Sequence, residues 1–356
     1  MAVQMTSRER VQRMFEHREA DRIPIWENPW ATTLDRWKKQ GLKSDDWAEE
    51  FGLDKTLGIG CNNSPRYPVK VLEEGEDYII KTTEWGVTLK EFKAKGSTPQ
   101  FLDFTVTDLE KWHDARRRMV YDPSRINWDY LNSPVWEHSD QYWVNASLWF
   151  GFDVTHSWMV GTERFLYALV DDPDWVKDIY ETQLDLGLIM LDKVLEKGHR
   201  FDAVTWPDDM GYKGTQFFSL DVYRELSKPF HKKACDWAHN RGVKVILHSC
   251  GNILPFIPDL IEIGVDALNP LEVKAGMDPY MLKDKYGERL VLWGGCSALN
   301  WLEEGKVLED VETLVPYMKR GGGYIFATDH SVPDNVELEE FRKVISRVKE
   351  LGRYGY

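Results

Sequence analysis

The chain of 356 residues predicts an α/β fold, a single (β/α)8 TIM-type barrel with an N-terminal helical extension and a small antiparallel β insertion. Three observations carry this. From about residue 140 onward, short apolar runs alternate with longer stretches of helical periodicity, the pattern of a parallel sheet with helical crossovers. Adding the runs at residues 23–26 and 56–60 brings the strand-like segments to about eight, which favours a closed barrel over an open doubly wound sheet. No Gly-x-Gly-x-x-Gly opens a helix after a strand, and there is no Walker-type phosphate loop, so a nucleotide-binding variant of the class is not indicated. One barrel domain spanning 1–356 accommodates this length.

The elements follow in order. Thr6 or Ser7 caps a helix that runs to about Glu16, and Asp21-Arg22 leads into the short run at 23–26. A second helix covers 32–39, before the apolar run at 56–60. Residues 66–95 differ in character. Val69-Lys-Val-Leu72, Tyr78-Ile-Ile-Lys-Thr82 and Val87-Thr-Leu-Lys-Glu-Phe92 alternate between turns containing Glu or Gly, which predicts an antiparallel meander inserted into the barrel. Beyond it, strand 142–148 is followed by helices 162–169 and 174–196, then strand 203–206 by helix 220–240. The last four units pair strand 243–248 with helix 254–263, 267–271 with 279–286, 290–294 with 305–320, and 324–328 with 336–351. Gly321-Gly-Gly323 precedes its strand instead of following it, so it reads as a helix stop and not as a phosphate cradle.

Composition narrows the function. A formal charge of −14 and a pI near 5.2 give a field that repels nucleic acid and anionic lipid. No segment approaches a membrane span. The N-terminus has no apolar signal core, and a cytoplasmic protein is expected. Four cysteines, Cys61, Cys235, Cys250 and Cys296, are too few for a disulfide framework and fit a reducing compartment. Sixteen tryptophans exceed what packing alone requires, and several stand beside Asn, Asp or Glu near strand ends. Singly they are core residues; together they suggest an aromatic-walled pocket.

Barrels of this kind carry their active sites at the carboxyl ends of the strands. The strongest pair there is His248 with Cys250, closing the run 243–248 ahead of Gly251. An imidazole and a thiol two positions apart project from the same side of a strand, and their softness selects zinc over magnesium or calcium. The bland alternative is a buried thiol beside a hydrogen-bonded histidine. Glu272 after strand 267–271, and Asp329 with His330 after strand 324–328, are further metal candidates. Glu272 reads equally as a solvated or ion-paired carboxylate, and Asp329 or His330 as a residue that orients a ligand. Asp208, Asp209 and Glu272 are the carboxylates expected to act in catalysis. Adjacent Asp208 and Asp209 should diverge, one inward and one capping a loop, and burial would raise the pKa of the inward one and suit it to proton transfer. Trp26, Asn28, Asn145, Trp149 and Tyr212 are the expected substrate-binding residues. Cys296 reads as a small buried thiol, and Cys61 and Cys235 as structural.

A set of motifs points to a family. They are Thr6-Ser-Arg-Glu-Arg-Val11, Asp21-Arg-Ile-Pro24, His248-x-Cys250-Gly251 and Gly276-x-Asp-Pro279. Leu282-Lys-x-x-Tyr286-Gly287, Trp293-Gly-Gly295 and, after Asp329-His330, Pro333-x-Asn335 complete it. Together they resemble the uroporphyrinogen decarboxylase superfamily over nearly the whole chain, most firmly from Asp202 to the end. The His-x-Cys form is similar to the cobamide-dependent methyltransferase branch, which includes methylcobamide:coenzyme M methyltransferases and the methyltransferase components of O-demethylase systems. That resemblance implies zinc held by His248, Cys250 and Glu272, with Asp329-His330 standing where the coenzyme M enzymes carry a cysteine. It further implies a corrinoid protein as a separate partner carrying the cobalamin, a small-molecule methyl donor or acceptor, and either a homodimer or a single copy. The many tryptophans and the missing last cysteine favour a methoxylated aromatic as methyl donor. Two other readings remain: a metal-independent decarboxylase acting through Asp208 or Asp209, and a non-catalytic metal or corrinoid carrier on the same scaffold.

Overall fold

The computed structural model describes residues 4–93 and 98–355. The strands are β1 (Thr56–Ile59), β2 (Val71–Glu74), β3 (Tyr78–Thr82), β4 (Val87–Phe92) and β5 (Gln100–Phe104). There follow β6 (Trp143–Ser147), β7 (Ala203–Pro207), β8 (Gly211–Tyr212) and β9 (Thr215–Gln216). The last are β10 (Lys244–His248), β11 (Ala267–Asn269), β12 (Val291–Trp293) and β13 (Tyr324–Ile325). Seven of them form one parallel sheet in the order β1-β6-β7-β10-β11-β12-β13. This is the sheet of a TIM-type (β/α)8 fold, and residues 23–26 close its ring. Trp26 N–H donates to Phe326 O at 2.9 Å and Phe326 N–H to Pro24 O at 2.9 Å, while Asp54 N–H reaches Ile25 O at 2.9 Å on the other side. The eighth station is therefore a bridge, not a full strand, because Pro24 has no N–H to give a ladder.

The sheet's two-residue period sorts the side chains. Val144, Ala146, Val204, Trp206, Val245 and Leu247 are buried against the helices. Their alternates Asn145, Ser147, Thr205, Ile246 and His248 line the barrel's interior cavity. Apolar side chains outside and, Ile246 apart, polar ones inside are what this register requires if the barrel holds a ligand.

At the opposite end an ion cluster fastens the N-terminal helix Ser7–Phe15, whose Thr6 and Glu9 form a reciprocal capping box. Arg10, 2% exposed, pairs with Asp21 at 2.7 Å and with Asp54, and Arg22 meets Asp54 at 2.6 Å. The sequence motifs around Arg10 and Asp21 thus hold the helix to the first barrel station.

Two expectations change. The insertion is a four-stranded antiparallel sheet, β2-β3-β4-β5, extending past the expected meander; residues 94 and 95 lie outside the described residues. β5 was not legible because Phe101, Leu102 and Asp103 are exposed together, and an edge strand without a buried face has no alternating pattern. The expected continuous helix over 220–240 contains a widened π-type turn at Tyr223–Ser227 before Lys228–His239. Pro229 cannot donate to the carbonyl one turn back, and the helix accommodates this by widening. Among the described residues no helix is long and apolar enough to cross a membrane.

Candidate functional site

At the carboxyl ends of the strands lies a cavity of about 390 Å³, within the range of small-molecule sites. Trp26, Trp149, Trp158 and Trp293 supply its aromatic walls. Trp26 stands edge-on to Trp293 at 5.8 Å between ring centroids, and Trp149 lies 5.2 Å from Trp158. Trp158 is carried inward by a π-helical turn, His156–Val160, which ends at Gly161 with φ 97°. Asn145, Ser147, Thr205 and Asn269 contribute neutral polar groups, and His248 and Asp153 the titratable ones.

His248 and Cys250 meet beside this cavity, with Sγ 3.6 Å from Nε2. Asp209 joins them, its Oδ1 3.8 Å from His248 Nε2. One donor atom from each of the three lies within 4.8 Å of the others, and each residue is only partly buried. Two features build this convergence. Gly251 has φ 78°, and a Cβ there would come within 2.0 Å of the Gly211 backbone; only glycine lets the loop after β7 lie against the loop after β10. Cys250 N–H then donates to Asp209 Oδ1 at 2.7 Å.

The donor set fits a zinc ion. In a tetrahedral site with bonds of about 2.0 Å to nitrogen and about 2.3 Å to sulfur, those two ligands stand roughly 3.5 Å apart, close to the spacing observed. His248 Nδ1 is 2.6 Å from Asn269 Oδ1. An Nδ1–H donated to that oxygen leaves the Nε2 lone pair facing the cluster, the arrangement that orients metal-binding imidazoles. The electrostatics agree. Burial, then Asp209, Glu272 and Asp153, push the Cys250 thiol up. Burial also raises Asp209, with Asp208 and Glu272 adding to it against His248 and the Cys250 N–H. Asp153 is pushed up to about 8 by burial, Asp209 and Asp208. Crowded acid of this kind is relieved by a dication.

Asp208 and Asp209 diverge. Asp208 is fully buried, its Oδ2 2.8 Å from His231 Nε2 and its Oδ1 accepting Asp153 N–H at 2.9 Å. It is a brace behind the site, while Asp209 joins the donor cluster, a ligand position where a catalytic role was expected.

The remaining candidates are not all brought together. Glu272 is outside the three-residue cluster; it accepts Gly251 N–H at 2.5 Å and pairs with Lys274 at 3.0 Å. In that geometry it supports the Cys250-Gly251 turn, and the structure does not bring it into the cluster with His248 and Cys250. Asp329 also lies outside the cluster: Oδ1 accepts Ala298 N–H at 2.7 Å and Oδ2 accepts Val273 N–H at 2.8 Å, so both oxygens staple neighbouring loops. His330 is exposed, 5.9 Å from the Trp30 ring, and is not brought into the cluster. Cys296 is fully buried. Trp26, Asn145 and Trp149 line the cavity, but Asn28 is exposed and Tyr212 sits 48% exposed in the β8–β9 hairpin; neither lines it. Asp153, Trp158, Asn269 and Trp293 were missed. Asp153 and Trp158 lie in the helical stretch after β6, where nothing marks which side of the turn faces inward. Trp293 and Asn269 end strands, the signal that singled out His248.

The family model for uroporphyrinogen decarboxylase (URO-D) matches residues 154–351. No curated protein matches the chain by sequence. A methyltransferase from Methanosarcina mazei superposes over 98% of this chain and 99% of its own, with a TM-score of 0.62 at 14% identity, a likeness of fold. The Bacillus subtilis YkuI protein, which has an EAL domain, overlaps 82% of this chain and 62% of its own at a TM-score of 0.32 and 13% identity, too distant to bear on the architecture. With more than half of its length matched, and with the barrel built as described, this chain belongs to the uroporphyrinogen decarboxylase (URO-D) family.

Proposed function

We propose that this protein is a zinc-dependent methyltransferase that moves a methyl group between a small substrate, favoured as a methoxylated aromatic, and the cobalt of a separate corrinoid protein. The observation that carries the reading is the convergence of Asp209, His248 and Cys250 beside a tryptophan-walled cavity. These three residues would hold the ion, and three protein ligands are what catalytic zinc sites provide. When bound, zinc supplies Lewis acidity that makes an aryl oxygen a better leaving group for its methyl.

The chain's own residues supply the rest. Asn269 sets the imidazole's tautomer and direction, and the Cys250 N–H steadies Asp209. The tryptophans offer faces for an aromatic ring and exclude water around the reacting oxygen. The corrinoid partner is assigned to the mouth, where Trp26, Trp149 and Trp158 remain half-buried. Decarboxylation of a polycarboxylic acid is the weaker reading, since among the described residues no Lys or Arg lines the cavity to neutralise several carboxylates.

Metal analysis tests the proposal. The purified protein should hold about one zinc per chain, and Cys250→Ala should hold none. Methyl transfer from methoxylated aromatics to reduced cobalamin should depend on that zinc. A wild-type protein that takes up no zinc when loaded would sink the reading.

A further inference from the structure

The charge and shape of the cavity bear on which substrates it admits. Trp149 follows β6 and Trp293 ends β12, and these strands stand four places apart in the sheet order. In an eight-membered ring that puts the two aromatic walls on opposite sides. Between them, the polar lining is neutral apart from His248 and Asp153, and among the described residues it includes no Lys or Arg. The ammonium groups closest along the chain are already engaged: Lys55 with Asp46 and Glu49 at 2.7 Å each, Lys244 with Asp266 at 3.0 Å, and Lys274 with Glu272 at 3.0 Å. The acids are numerous by contrast. Asp153 lines the cavity, Asp209 stands at its edge, and Asp208 and Glu272 lie just behind. A metal held by Asp209 and the Cys250 thiolate would have its two charges offset by those ligands. A bound carboxylate would therefore lose its hydration without gaining a cation.

We propose that the cavity selects ring substrates that carry no anionic group, because its described lining offers a ring two aromatic walls and offers a carboxylate no Lys or Arg. Asp153 accepts the Ser157 hydroxyl at 3.2 Å through Oδ1, while Oδ2 has no protein hydrogen bond among the described residues. That oxygen is open to a hydroxyl on a neutral ring, while no described side chain of the lining offers an ammonium or guanidinium to a carboxylate. The substrate class is the uncharged methoxyphenol, not the methoxybenzoate. The inference rests on the proposed function for calling the bound ring a methyl donor; the binding preference itself does not.

Calorimetry with 2-methoxyphenol and 2-methoxybenzoate, on the zinc-free and the zinc-loaded protein, tests the preference without turnover. Wild type should bind the phenol about ten-fold tighter or more. Thr205→Lys, which places an ammonium in the lining, should narrow that ratio, chiefly by improving the acid. Equal or tighter binding of the acid by wild type would overturn the proposal, as would a ratio unmoved in Thr205→Lys or binding of neither compound. The wild-type ratio needs no variant, so a misfolded substitution leaves the test intact. Methyl transfer, assayed separately, fails alone if only the proposed function is wrong.

Discussion

Two sides of one barrel mouth use buried acid in opposite ways. Beside β7 and β10, Asp209 spends one hydrogen bond on the Cys250 N–H and keeps a position among the His248 and Cys250 donors. Across the mouth, where residues 23–26 meet the end of β13, the carboxylates are consumed by backbone. Asp329 takes one N–H on each oxygen, and Glu27 accepts Thr328 N–H at 3.1 and 3.2 Å with the Thr328 hydroxyl at 3.0 Å. The difference teaches that a strand-end carboxylate is available to a ligand only when the surrounding backbone leaves it lone pairs. Residue type and position do not say which; the count of nearby N–H groups does.

That contrast can be broken at several points. His248→Ala or Cys250→Ala should weaken zinc binding the most, by about 100-fold or more, since each removes a direct ligand; competition with a chromophoric chelator measures it. Next comes Glu27, which burial, opposed by the Thr328 hydrogen bonds, pushes up to about 8 from 4.5. The folded state prefers the neutral form, so its contribution to stability is complete below 4.5 and is lost as pH rises toward 8. The slope is at most about 1.4 kcal/mol per pH unit. Glu27→Gln should flatten it, gaining on wild type in urea unfolding at pH 8 compared with pH 5; a parallel pair of curves would show that Glu27 is ionised in the fold. Asp329→Ala should cost about 1–3 kcal/mol by leaving two N–H groups without acceptors, with zinc stoichiometry unchanged. Loss of zinc there would return Asp329 to the ligand set. His330→Ala should change neither metal content nor stability by more than about 0.5 kcal/mol.

The barrel was legible because its helices and strands carry their periods locally. The run at 243–248 ends where its parallel strand ends, the run expected at 324–328 continues past β13 only as isolated bridges at Phe326 and Thr328, and the Thr6 capping box marks its helix start as expected. Elements without a local period were not legible: edge strand β5, and the widened turns at His156–Val160 and Tyr223–Ser227. The candidate site divides the same way. His248 and Cys250 are neighbours in sequence and in space. The third donor depends on how close the Gly211 and Gly251 backbones approach, a relation between loops forty residues apart.

By itself, then, the order of residues determined the barrel, the strand ends that face its mouth, and the histidine–cysteine pair, because each depends on spacing within one short segment. The packed structure alone decided which of two adjacent aspartates reaches that pair, which acids are spent on backbone, and that the cavity between the tryptophans lacks a cation among its described lining. Those outcomes depend on distances between segments far apart in the chain, and hydrogen-bond competition among them is settled only once the loops are in contact.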